Sequence, residues 1–155
     1  MPTYLPAFLI GVVVGLRCLT SPAAVSWAAR LGWLHLEKTP LALFGFALTP
    51  YILSALAIGE LINDKLPKTP SRKSSVPFAA RIVMGALCGT ALGAPGDALI
   101  GGLLAGALGG VAGTLAGYEF RSRLVNATGG KDLPIALIED AIAIGAAFWI
   151  VSRAA

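Results

Sequence analysis

Six apolar runs, separated by short polar segments, constrain this chain more than any other feature of its sequence. They cover residues 3–16, 22–34, 40–62, 77–93, 98–118 and 134–151. Hydrophobic residues make up 56% of the chain and charged residues only 13%, whereas a soluble domain carries roughly 25% charged residues. A water-soluble fold of 155 residues cannot cover so much apolar surface with so few charges. The chain is therefore predicted to be an integral membrane protein in direct contact with the lipid bilayer.

The lengths of these runs predict an all-α transmembrane bundle. A helix that spans a bilayer needs about 20 residues, and the last four runs, with 23, 17, 21 and 18 residues, meet that requirement. The first two runs are shorter, yet a single helix over residues 3–34 would extend about 48 Å, which is longer than the hydrocarbon core. We therefore predict a break near residues 17–22 and about five transmembrane helices in one domain over residues 1–155.

Two arrangements of the first region are open. In the preferred one, residues 3–34 cross the membrane once, with a break; in the other, residues 22–34 re-enter the membrane or lie along its surface. A second kink is predicted at Pro50, inside the run 40–62, because proline interrupts helical hydrogen bonding. The first run resembles a signal-peptide core, but no basic residue precedes it, so we expect this segment to be retained in the membrane.

Basic residues predict the orientation of the bundle. Loops 63–76 and 119–133 contain Lys65, Lys68, Arg72, Lys73, Arg121, Arg123 and Lys131. Against these, the opposite side offers Lys38 and Arg153. Since basic loops stay in the cytoplasm, both loops are predicted to be cytoplasmic in a bacterial inner membrane. The N-terminus is then cytoplasmic if the first region crosses once, and outside if that region forms a re-entrant hairpin.

Several function classes lack their sequence signatures. The net charge of +4 suits nucleic-acid binding, but no basic stripe with interleaved aromatic residues occurs, so no nucleic-acid partner is predicted. One histidine, His35, and two distant cysteines, Cys18 and Cys88, cannot build a structural zinc site. The sequence contains neither a phosphate-binding loop nor a nucleophile elbow. We predict no metal, no cofactor and no catalytic residue.

Glycine recurs at every fourth position in two neighbouring runs. The three stripes are Gly85, Gly89 and Gly93; Gly102, Gly106 and Gly110; and Gly109, Gly113 and Gly117. Such stripes let two helix backbones approach closely in lipid. The short turn at residues 94–97 makes the two helices antiparallel neighbours, so the first interpretation is an interface within one chain. The alternatives are a subunit contact of a homo-oligomer through the second face of the later helix, and a glycine-lined pore.

Several charged residues lie within or beside the apolar runs, where charge is costly. Arg17 directly follows the first run, and it either snorkels to the interface or needs a partner or a water-filled cavity. Glu139 and Asp140 lie roughly 8–9 Å inside the last run. Glu60 and Asp64 share one helical face, at the end where the helix dipole disfavours them, and they repel each other unless a cation intervenes.

These charges predict one polar cluster toward the cytoplasmic half of the bundle. Its predicted members are Arg17, Glu60, Asp64, Arg81, Glu139 and Asp140. Arg123 is a further candidate partner for the two acids of the last run, although it can also pair with Glu119 at an ordinary solvated helix end. The cluster is either a set of structural ion pairs or a site that handles protons or cations, because a buried carboxyl can change its charge state.

Three motifs resemble a known bacterial family. They are Gly15-Leu16-Arg17-x-x-Thr20-x-Pro22-Ala23, Glu60-x-x-x-Asp64-Lys65-Leu66-Pro67 and Ala136-x-x-Glu139-Asp140-x-x-Ala143. They resemble an uncharacterised family of small membrane proteins that carries only a domain-of-unknown-function label. The resemblance covers nearly the whole chain and implies a polytopic inner-membrane protein without supplying an activity. Cys18 stands where the family pattern leads us to expect serine, which argues against a catalytic thiol.

Three functions follow from these features. The favoured one is a small transporter or channel for an ion or small solute, since broken helices beside membrane charges build transporter sites. Arg17 beside the N-terminus of helix 22–34 is a candidate anion site, and conduction by so small a chain favours a homo-oligomer. The second is a structural or accessory protein with fixed ion pairs. A lipid-modifying enzyme using Glu139 or Asp140 is a remote third, and we predict that the protein is not an enzyme.

Overall fold

The computed structural model describes residues 2–65 and 74–154, which contain six α-helices and no strand. The helices are α1 (Tyr4–Leu16), α2 (Thr20–Arg30), α3 (Thr49–Asn63), α4 (Ser75–Gly93), α5 (Leu99–Ala127) and α6 (Asp132–Ala154). Short 3-10 helices, Ala42–Gly45 and Ala94–Gly96, precede α3 and α5. The all-α prediction is confirmed for this part of the chain. The predicted loop and motif residues Leu66, Pro67, Lys68, Arg72 and Lys73 lie outside it.

Among the described helices, three are long and apolar enough to cross a membrane. They are Ser75–Gly96, which is α4 with the turn that follows it, together with α5 and α6. α1 is apolar but shorter. The outward faces of the long helices carry exposed aliphatic side chains such as Ile100, Leu108 and Ile142, as expected for surfaces that face acyl chains. The protein is a multi-pass membrane protein.

The first region is a hairpin of two short helices, so the preferred single crossing of residues 3–34 is wrong. Helix α1 ends at Arg17, whose backbone is extended with φ −140° and ψ 111°. The Ser21 hydroxyl then donates a hydrogen bond of 3.5 Å to the carbonyl oxygen of Ile10. In one continuous helix these two residues would lie about 16 Å apart. Pro22 contributes to the break, because it has no N–H to bond to the carbonyl of Cys18 four residues earlier.

The two helices of the hairpin are too short to cross the bilayer. With 13 and 11 residues, α1 and α2 extend about 20 Å and 16 Å against a hydrocarbon core of about 30 Å. Their buried side chains share one core with α4 and α6, in which Ile10 and Val14 lie among Val25, Leu92 and Val151. The predicted break near residues 17–22 is present, and the chain reverses direction there.

The run 40–62 is not a single spanning helix, and Pro50 does not kink it. Helix α3 begins at Thr49 with Pro50 in its first turn, a position where proline's missing N–H has no partner to lose. The Thr49 hydroxyl donates to the carbonyl oxygen of Leu43 at 2.7 Å. With 15 residues, α3 extends about 22 Å. The prediction fails because a hydropathy run does not show where its helix begins.

Helices α4 and α5 cross on their glycine stripes. A Cβ atom placed on Gly89 would overlap the carbonyl oxygen of Gly102, and one placed on Gly106 would overlap that of Gly85. Gly93 approaches Ala98 and Gly102, and Gly110 approaches Arg81. These contacts are the close backbone approach that glycine permits between antiparallel helices.

The second face of α5 is covered by α1. A Cβ on Gly109 would overlap the carbonyl oxygen of Phe8, and one on Gly113 would overlap that of Val12. On α1, Gly11 and Gly15 complete this contact, and neither belongs to the glycine stripes predicted from the sequence. The proposed subunit contact through this face is therefore wrong for Gly109 and Gly113. Gly117, one turn further, lines a cavity with Leu16. The homo-oligomer itself stays a prediction.

Candidate functional site

Arg17, at the break between α1 and α2, is the centre of an ion-pair network. Its guanidinium is 0% exposed. Nη1 donates to Asp64 Oδ2 on the turn after α3 at 2.5 Å, Nη2 is paired with Asp140 Oδ1 on α6, and Nη2 lies 4.0 Å from Glu139 Oε2. The alternative that Arg17 snorkels to the interface is wrong, because the side chain is enclosed by carboxylates of two other elements.

Glu60 satisfies the helix end that opens at the break. Its two carboxylate oxygens accept hydrogen bonds from the backbone N–H groups of Cys18 and Leu19, each at 2.8 Å. Leu19 is the N-cap of α2, and the first N–H groups of a helix have no partner within it. A carboxylate there also complements the positive end of the helix dipole. The unfavourable interaction of Glu60 with the dipole of α3 is thus offset by its favourable interaction with the N-terminus of α2.

Arg81 satisfies the other helix end at the break. Its Nη1 donates to the carbonyl oxygen of Gly15, in the last turn of α1, at 2.8 Å. A cation at this position complements the negative end of the α1 dipole. Arg81 Nη2 also lies 4.0 Å from Glu60 Oε1. At the break, the Glu60 carboxylate therefore satisfies backbone N–H groups at the start of α2, and the Arg81 guanidinium satisfies a carbonyl oxygen at the end of α1.

The predicted anion site at the start of the second helix is already filled. The N–H groups that would bind a substrate anion donate to Glu60 instead. A free anion would have to displace the Glu60 carboxylate, which is only 15% exposed beside Arg81. The N-terminus of α2 therefore binds the carboxylate of Glu60 in place of a free anion.

Arg121 and Lys65 extend the network away from the break. Arg121 donates through Nε and Nη2 to both oxygens of Asp132, at 2.9 and 2.8 Å. Its Nη1 lies 2.9 Å from Asp64 Oδ2 and 3.4 Å from Glu139 Oε2. The sequence predicts that Arg121 lies in a basic loop, but in the structure it lies on α5 within reach of three carboxylates.

Lys65 is the second member that sequence analysis assigned to a loop. Its ammonium donates to the carbonyl oxygen of Leu61 at 3.0 Å and to Asp140 Oδ2 at 2.5 Å. A signal was present in the sequence, because Lys65 follows Glu60 and Asp64 within one and a half turns. Arg123, by contrast, pairs with Glu119 at 3.5 Å and is 83% exposed, as expected for a solvated helix end.

These residues form one polar cluster that is accessible from one end. Its described members are Arg17, Glu60, Asp64, Lys65, Arg81, Arg121, Asp132, Glu139 and Asp140. Exposure rises from 0% at Arg17 to 23% at Lys65 and 51% at Asp132. On the other side of Arg17 lies the apolar core shared by the hairpin, α4 and α6. The cluster therefore opens toward the end where α6 begins.

Replacing Glu60 tests whether its carboxylate stabilises the break between α1 and α2. Glu60→Ala leaves the N–H groups of Cys18 and Leu19 without their carboxylate, so we expect a loss of about 2–3 kcal/mol of stability and faster exchange of those two amide protons. Glu60→Gln keeps a hydrogen-bond acceptor and should lose less. Hydrogen-exchange mass spectrometry of the segment around the break measures both. Glu119→Ala is the matched control, and equal exchange in Glu60→Ala and the wild type would contradict this role.

Comparisons place the chain in a family but not beside a characterised protein. Among the residues that the structure describes, no group of three or more His, Cys, Asp or Glu side chains is arranged to hold a metal ion. A family model described as "Domain of unknown function (DUF4126)" matches residues 5–152. No curated protein and no solved structure matches the chain.

Proposed function

The chain belongs to the DUF4126 family, whose description assigns no activity, and from the geometry of the polar cluster we propose that it transports or conducts an ion or small solute across the membrane. The observation that carries the proposal is the hairpin of α1 and α2, whose break holds Arg17 between Asp64 and Asp140. Transporter sites are commonly built where broken helices end near the midplane. We propose this in place of an enzymatic function.

Access to the polar cluster from one end supports a carrier that is open to one side of the membrane. The cluster is exposed toward Asp132, while the apolar core closes the other direction. The carboxylates also have interchangeable partners: Asp64 forms ion pairs with both Arg17 and Arg121, and Asp140 forms ion pairs with both Arg17 and Lys65. Exchange of such partners lets a charged solute enter without leaving a bare carboxylate. The end that opens carries Lys65 and Arg121, and under the positive-inside rule we propose that it faces the cytoplasm.

The second candidate is a structural protein whose ion pairs are fixed. It is favoured by the hydrogen bonds at the break, where Glu60 accepts from backbone N–H groups at the start of α2 and Arg81 donates to a backbone carbonyl oxygen of α1. A fixed network would carry no flux, and neutralising one charge would then reduce stability alone. The two candidates therefore differ in a measurement of flux at matched protein incorporation.

Asp140→Asn tests the transport proposal. Asp140 is buried between Arg17 and Lys65, so the neutral amide should disrupt partner exchange and lower ion or proton flux about tenfold or more. Proteoliposomes loaded with pH- and potential-sensitive dyes measure that flux, with Glu139→Gln as a second variant. Glu119→Gln, whose carboxylate is exposed, should match the wild type.

Two results would contradict transport. One is undiminished flux in both cluster variants. The other is absence of flux from the wild type and all variants, accompanied by lower thermal stability in Asp140→Asn. The second result would favour the structural candidate, since the charge would then serve folding alone.

A further inference from the structure

A narrow groove runs between α5 and α6 next to the end of α1. Its volume is about 140 Å³ and its walls are almost wholly apolar. One stripe of residues on each helix forms these walls: Gly117, Phe120 and Leu124 on α5, and Ile135, Ile138 and Ile142 on α6. Helix α1 packs against both helices but ends at Leu16, which also lines the groove. The groove is therefore space between α5 and α6 that α1 does not fill.

The groove extends to the depth of one leaflet of a bilayer. Because α5 and α6 are antiparallel, Gly117 and Ile142 lie together at its inner end. About 15 Å of helix separates Gly117 from the end of α5 at Ala127, and the same length separates Ile142 from the start of α6 at Asp132. The hydrocarbon core is about 30 Å thick, so one leaflet contributes about 15 Å. An acyl chain that lies along these helices therefore reaches the inner end of the groove.

The width of the groove fits an acyl chain better than a partner helix. α5 and α6 are both long and apolar enough to cross a membrane, and Phe120 and Ile138 are exposed on their outer surfaces. A volume of about 140 Å³, distributed over about 10 Å of helix, admits one extended hydrocarbon chain. A helix with its side chains is about 10–12 Å wide, so a helix of a second copy does not enter.

The back of the groove is the edge of the polar cluster. Arg121 and Glu139 line the groove, and Arg121 Nη1 lies 3.4 Å from Glu139 Oε2 between the two helices. Because the surface of the groove is almost wholly apolar, these side chains present their methylene groups to it and direct their charges toward the cluster. An acyl chain in the groove therefore covers the side of the cluster that the described helices leave open to the membrane.

A basic residue lies at the outer end of the groove. Leu124 and Ile135 line this end, and Lys131, one turn before Ile135, is exposed just ahead of α6. A lysine at the membrane surface attracts the negative charge of lipid headgroups. The groove and the lysine together complement a molecule with an apolar chain and a phosphate.

We propose that this groove binds one acyl chain of a phospholipid, and that the bound chain completes the wall of the polar cluster between α5 and α6. The phosphate of the same lipid lies at the level of Lys131. The proposal does not depend on transport, because a carrier and a structural protein both need the ion pair of Arg121 and Glu139 to be shielded from the membrane.

Native mass spectrometry of the full chain, purified in micelles that contain dioleoylphosphatidylcholine, measures the retained lipid. The wild type should retain one phospholipid per chain. Ile138→Trp fills the groove with an indole ring and should lower the retained fraction about tenfold. Leu108→Trp is the matched control, since Leu108 is similarly exposed on α5 but does not line the groove, and it should retain as much lipid as the wild type.

Thermal unfolding separates the acyl chain from the headgroup. Dioleoylphosphatidylcholine should raise the unfolding midpoint of the wild type but not that of Ile138→Trp, because a ligand stabilises only the state that binds it. Dihexanoylphosphatidylcholine has chains too short to reach Gly117 and should raise the midpoint much less. Diolein has the long chains without the phosphate, so its effect should be smaller than that of the phospholipid, and Lys131→Gln should remove this difference.

Three results would overturn the proposal. The first is a wild type that retains no phospholipid, and the second is equal retention in Ile138→Trp and Leu108→Trp. The third is a complex of two chains that Ile138→Trp abolishes, which would assign the groove to a second copy. If Ile138→Trp does not fold, Ile142→Trp blocks only the inner end of the groove, and an unchanged preference for dioleoyl over dihexanoyl chains in that variant would refute the acyl-chain site.

Discussion

Arg17→Met is expected to destabilise the protein by about 3–5 kcal/mol, because removing one partner of a buried ion pair leaves buried charge that is less well compensated. The guanidinium is fully enclosed between Asp64 and Asp140. Of these two, Asp64 keeps Arg121 and Asp140 keeps Lys65, so the variant should still fold at low temperature. Unfolding in mixed micelles, followed by tryptophan fluorescence, measures the loss.

Two further variants separate charge from size at this position. Arg17→Lys keeps the charge, but an ammonium group cannot bind both carboxylates as the planar guanidinium does. The stability of this variant should therefore lie between that of Arg17→Met and that of the wild type. The double variant Arg17→Met with Asp140→Asn removes one of the two carboxylates that lose Arg17 and should recover part of the stability. Arg123→Gln is the control, since that side chain is 83% exposed and such pairs contribute at most about 1 kcal/mol. If Arg17→Met loses as little stability as Arg123→Gln, the Arg17 guanidinium is not enclosed by the carboxylates in the membrane.

Gly106→Ala should be the most damaging substitution of a single methyl group in the chain. Gly106 is where three helices meet: its new Cβ would overlap the carbonyl oxygen of Gly85 on α4, and its own carbonyl is in contact with Gly11 on α1. The opposing atoms are backbone, so neither helix can yield by changing a rotamer. Overpacking typically costs about 1–3 kcal/mol, and we expect the upper end of that range or more.

Gly145→Ala is the matched control for Gly106→Ala. Gly145 also lies in a helix, α6, but no neighbouring atom lies within 4 Å of the position of its Cβ. Alanine there should leave stability unchanged or raise it by about 0.5–1 kcal/mol, because glycine weakens a helix interior. Thermal unfolding of both variants under identical detergent conditions measures the difference. Equal stability of the two would show that α1, α4 and α5 do not cross closely at Gly106.

Some of the site follows from the sequence by local arguments. The apolar runs and the scarcity of charge indicate a helical membrane protein, and the length of residues 3–34 requires the break. Charge within apolar runs is costly, so Arg17 and Asp140 stand out by residue type and position alone. Helical spacing alone places Glu60 and Asp64 on one face. Each of these features involves residues that are near one another in sequence.

The direction of the hairpin and the identity of each partner came from the tertiary structure. A run of apolar residues has the same hydropathy whether the chain continues or reverses at Arg17, and reversal depends on packing against α4 and α6. Arg17 and Asp64 are 47 residues apart, and Lys65 and Asp140 are 75 apart. Periodicity shows which face of a helix carries a charge but not which helix lies opposite. For that reason the sequence determined where the costly groups are, and only the assembled bundle decided how each is satisfied.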